Sequence, residues 1–162
     1  MRFTWLSLLL LSSSAPLAAS AADVLPDYLI GTWGTGSSLY DGASQQAEIY
    51  LLADGFGMMA GSTAAARRMD GIDDGKPGPR AIIGFPVQAT LDRNSLSVRR
   101  LLPKEQQGSK KDGMGISCQY ESEGPKLACA GPDGVSMMMT RRSESVAKEI
   151  VLNIAEIRTS FQ

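Results

Sequence analysis

Apolar and polar positions alternate with a period of two through most of the chain after residue 28, and the period lengthens to three or four only near the end. Residues 48–53 and 57–62 are alternating runs joined by Asp54-Gly55, a dipeptide suited to the tight turn of a hairpin. Residues 80–91 and 95–102 flank a second turn at Asp92, Arg93 and Asn94. Residues 114–121, 126–130 and 135–141 follow, divided by the turn residues Glu123-Gly124 and Asp133-Gly134. With a first strand at 29–35, the pattern predicts about eight strands.

From Ser143 onward Val146, Ile150, Ile154, Ile157 and Phe161 recur at helical spacing, which predicts a helix over 143–161 capped by Ser143 or Ser145. Stretches 63–79 and 103–113 follow neither period and are rich in loop-forming residues. Strands that pair in sequence leave an outer surface for a single helix to cover. The fold class expected is therefore all-β: an antiparallel up-and-down barrel with one C-terminal α-helix packed outside.

The start of the chain changes the picture of where this barrel works. Arg2, an apolar run from Phe3 to Leu11, and the small residues Ala19, Ser20 and Ala21 have the order of a cleavable secretory signal peptide over 1–22. Ser12, Ser13, Ser14 and Pro16 interrupt the run before it reaches the roughly 20 residues a membrane span needs. The remainder, 23–162, suits a single domain, periplasmic or secreted, without a membrane anchor. Its acids slightly outnumber its bases, which gives no electrostatic basis for binding nucleic acid. A monomer is expected.

Cys118 and Cys129 are the two cysteines, and an isolated pair in an exported chain is expected to form a disulfide. A hairpin centred on Glu123 and Gly124 sets Tyr120 against Leu127 and Cys118 against Cys129, close enough to bridge. A loop from Ser122 to Pro125 keeps that register and spares Pro125 from the ladder. Met114, Ile116, Cys118 and Tyr120 share one face, so the bridge is expected on the inner face.

Gly31-Thr32-Trp33 opens the first strand, and Arg141 closes the last with the same parity as Val135, Met137 and Met139. A guanidinium on an apolar face needs a partner, and an indole supplies one through cation–π attraction. This combination, with hairpin-joined strands and a terminal helix, resembles the lipocalin-like or calycin barrels. The resemblance implies that Trp33 and Arg141 close the barrel bottom and do no chemistry. The chain departs from the longer lipocalins in its length and in keeping its disulfide within one hairpin.

Candidate chemistry is sparse. The chain has no histidine, which removes the commonest general base and most zinc sites, and no enzyme is expected. Asp70, Asp73 and Asp74 fail the calcium-loop pattern, having Ile72 and Ala81 where oxygen ligands belong. The methionines lack a third soft ligand for copper and read as adaptable packing, so no cofactor is expected. The paired arginines 67–68, 99–100 and 141–142 read as barrel-end and surface residues. Two functions stay open. One is a binding protein holding a small apolar ligand, with Met58, Tyr120, Met137 and Met139 as candidate lining. The other is an inhibitor or immunity-type protein that grips a secreted or periplasmic enzyme through the 63–79 or 103–113 loop.

Overall fold

A computed structural model describes residues 24–69, 71, 76–103, 115–132 and 134–161. The expected leader, the Asp70, Asp73 and Asp74 cluster, Met114, Asp133 and most of the 103–113 loop lie outside the described residues. Eight strands follow one another around a closed barrel: β1 (Gly31–Gly34), β2 (Ala47–Leu51), β3 (Phe56–Ser62), β4 (Ile82–Asp92), β5 (Ser95–Arg100), β6 (Gly115–Glu121), β7 (Lys126–Ala130) and β8 (Ser136–Ser143). All pairs are antiparallel, and β8 returns to β1. Helix α1 (Lys148–Thr159) follows.

Tight turns impose the up-and-down order. Gly55 takes a φ of +74° in the β2–β3 turn, and Arg93 one of +55° between β4 and β5. Register then decides which parity points inward. Trp33 opposes Ile49, Ile49 opposes Met59, and Ala89 opposes Val98 across successive pairs. Trp33, Ile49, Val98 and Met139 belong to one buried interior cluster. On β5 and β6 the other parity carries Ser95, Ser97, Arg99, Ser117, Gln119 and Glu121. That is the opposite arrangement from a membrane barrel, whose outer band is apolar. Among the described residues, no helix is long and apolar enough to cross a membrane.

Cys118 and Cys129 are bridged, face each other in the β6–β7 ladder and are buried inside the barrel. The loop spans residues 122–125, and Tyr120 opposes Leu127 as the hairpin arithmetic requires.

A second apolar cluster lies outside the barrel wall, where Ile154 and Ile150 of α1 pack on Tyr50, Phe56, Met58 and Ala60. The last turn of α1 is pinned to the β2–β3 turn: Arg158 pairs with Asp54 and lies 4.9 Å from the Phe56 ring centroid. The start of α1 differs from expectation. Its N-cap is Ala147, with no side-chain hydrogen bond. Ser143 is still in β8, opposite Thr32, and its hydroxyl accepts from the Ser145 N–H at 3.2 Å. Pairing of the closing strand therefore carries the chain past the residues that would have capped a helix.

Candidate functional site

The two ends of the barrel are built differently. The end that receives residues 24–30 is plugged: Leu25 and Leu29 enter it and are buried, each contributing about 2 kcal/mol by the area it removes from water. The Leu25 N–H bonds the Ala53 carbonyl at 2.7 Å, fixing the plug to the β2–β3 connection. Trp33 is fully buried beneath it and donates its indole N–H to the Leu29 carbonyl at 2.9 Å. The Arg141 guanidinium stands 5.8 Å from the Trp33 ring centroid and donates to the carbonyls of Asp27, at 2.8 Å, and Ile30, at 2.7 Å. Tyr120 meets Trp33 edge-on at 6.2 Å and Tyr28 at 4.7 Å. Gly31 has a φ of +122°, and a Cβ there would fall 2.2 Å from the Ser143 carbonyl oxygen, so the turn into β1 requires glycine.

The other end is where the β1–β2, β3–β4, β5–β6 and β7–β8 connections leave. Its β1–β2 side is secured by Arg80, whose Nη1 donates to the carbonyls of Leu39 at 3.1 Å and Asp41 at 3.2 Å, and whose Nη2 donates to that of Gly42. Its β4–β6 side opens into an apolar cavity of about 160 Å³, lined by Met59, Phe85, Val87, Val98 and Ile116 with Arg100 among them. Arg100 ends β5 on the parity of Leu96 and Val98, and its Cζ lies 5.1 Å from the Phe85 ring centroid.

The four candidate lining residues do not assemble into this cavity. Tyr120 and Met139 belong to the packed interior, and Met139 is fully buried. Met137 opposes Cys129 and packs on the same cluster. Met58 packs outside the wall beneath α1, and its neighbour Met59 faces in, because Met59 opposes the inward Ile49. Met58 was expected among the lining residues, but with Phe56 and Ala60 it belongs to the more apolar, outward set of β3. They are apolar because a helix covers them.

Two of the paired arginines, Arg100 at its barrel end and Arg142, are only partly exposed. Arg142 is mostly buried and pairs with Glu48, which is itself buried. A Cβ on Gly34 would fall 2.2 Å from the Arg142 Cζ, so the glycine in β1 is what lets this side chain lie across the strand. Tyr50 donates its hydroxyl to the second Glu48 oxygen. Burial first, and then that bond to a carboxylate, raise the Tyr50 pKa above its ordinary value. Arg100 is the functional candidate that the paired-arginine reading passed over. The signal for it was the parity argument that singled out Arg141: a cation continuing an apolar face.

The chain matches no protein-family model and no curated protein sequence.

Proposed function

We propose that this chain is an exported binding protein that takes a small apolar ligand into the open end of its barrel. Export rests on the leader expected over 1–22, and the Cys118–Cys129 bridge suits the oxidising conditions of the periplasm or the cell exterior. The observation that carries the binding reading is the asymmetry of the interior: one end is plugged by Leu25, Leu29 and Trp33, and the other keeps an apolar cavity of about 160 Å³. A cavity of that size takes a body of roughly one benzene ring, by comparison with the ~150 Å³ engineered cavity that binds benzene.

The test is a titration of the bridged protein with toluene, followed residue by residue by amide NMR. Saturable shifts centred on Phe85, Val98 and Ile116 are expected, and Ile116→Trp, which fills the space, should abolish them. A spectrum unmoved at the solubility limit of toluene would overturn the reading. The loop-gripping inhibitor uses the same end of the barrel. An enzyme partner whose binding survives Ile116→Trp and fails when either long loop is shortened would favour that alternative.

A further inference from the structure

Arg100 differs from the other part-buried arginines of the barrel in what surrounds its charge. Arg80 and Arg141 hold backbone carbonyls, Arg142 holds Glu48, and Arg158 holds Asp54. The Arg100 guanidinium has no hydrogen bond or ion pair to any described residue: its Nε is buried without an acceptor, as those of Arg141 and Arg142 are, but its terminal nitrogens, unlike theirs, have no described acceptor either. Its Cζ lies over the face of Phe85, 5.1 Å from the ring centroid. Placing a cation against an apolar wall is unfavourable unless an anion or acceptor completes it. A guanidinium offers a planar fork that matches a carboxylate with two parallel N–H···O bonds, and the low local dielectric strengthens the attraction.

We infer that the ligand of the open end is a small carboxylate with an apolar body, its head on the Arg100 guanidinium and its body in the cavity formed by Met59, Phe85, Val98 and Ile116. This inference rests on the binding function proposed above and adds the ligand's charge. Volume limits the body to roughly one aromatic ring or a short alkyl chain, judged against the benzene-binding cavity of similar size. Arg100 stands on the last residue of β5, at the mouth, so the carboxylate faces outward while the body points down the barrel axis.

Calorimetry of the bridged full chain with benzoate, benzamide and toluene separates charge from shape, since the three share a ring and differ in the head. Benzoate should bind at least tenfold more tightly than benzamide, and this preference should shrink as salt is raised and vanish as pH falls below the carboxyl pKa, about 4. Arg100→Met should remove the benzoate preference and leave toluene binding intact, while Arg100→Lys should retain part of it, because an ammonium keeps the charge and loses the fork. Far-UV circular dichroism and thermal melting check that both variants are folded. If benzoate binds no better than benzamide to the unmodified protein, or keeps its preference in Arg100→Met, the anionic-ligand inference is wrong while the cavity stands. If none of the three binds, the binding function itself is wrong.

Discussion

At one end of the barrel an arginine is tied to backbone carbonyls, and at the other an arginine is left with an aromatic face. Arg141 and Arg100 both sit on inward parity near a strand end, and both lie over an aromatic ring. Arg141 also has two carbonyls of the N-terminal plug within 2.8 Å, so its charge completes a closed structure. Among the described residues no such carbonyls reach Arg100, which lines an apolar cavity instead. The same residue type in the same kind of register can therefore seal one opening and furnish another. What decides is whether the chain supplies acceptors nearby.

That contrast fails or holds on stability measurements. The largest effect is expected from Trp33→Ala, which should destabilise the fold by about 4 kcal/mol in urea unfolding, because it opens a cavity in the sealed end. Phe85→Ala at the open end should lose only about 1 kcal/mol, since that ring is half-buried already. Equal losses would mean that the two ends are packed alike. Removing the bridge with Cys118→Ala and Cys129→Ala should lower stability by about 3 kcal/mol through the unfolded chain, while the open-end NMR shifts with toluene survive.

The arginines give the sharper comparison. Arg141→Met should destabilise by about 2 kcal/mol, stranding two carbonyls, and should speed hydrogen exchange at the amides of Leu25 and Leu29. Arg100→Met should leave stability unchanged or raise it, because it removes a cation that nothing in the described wall satisfies. A loss for Arg100→Met as large as that for Arg141→Met would show that the open-end charge is already compensated.

The smallest effect concerns the outer wall. The Tyr50 pKa is raised from its ordinary 10.0, so the folded protein keeps a proton that the unfolded chain releases. Its stabilising contribution is complete below about pH 10 and is lost as pH rises beyond it. Tyr50→Phe should flatten the fall of stability between about pH 9 and about pH 11, measured by urea unfolding at both ends of that range.

The order and number of strands were legible in the sequence because each depends on local signals: alternation, Asp54-Gly55, and the Cys118–Cys129 register. What the sequence hid lies where a second layer intervenes. β3 is covered on both faces, so its parity reports the helix as much as the interior, and Met58 was assigned to the wrong side. The α1 cap was misplaced because pairing with β1 holds Ser143 in a strand. The ion pair of Arg142 and Glu48 spans 94 positions and is built across a glycine, and no local pattern announces such a contact. Arg100 was available to parity reasoning, but its lack of an acceptor is a property of three-dimensional surroundings.

The consecutive arginines of β8 act on opposite sides of one wall. Arg141 engages the plug inside, and Arg142, at the irregularity where β8 meets Thr32 and Trp33, engages Glu48 outside. A slip of one residue in either direction leaves one of those places without a guanidinium, with Thr140 or Ser143 arriving instead. In a strand a one-residue slip also exchanges the two faces. The seam that closes the cylinder joins the last strand to the first, and this doublet works as its keyed latch: only one alignment of the two edges lets both teeth engage.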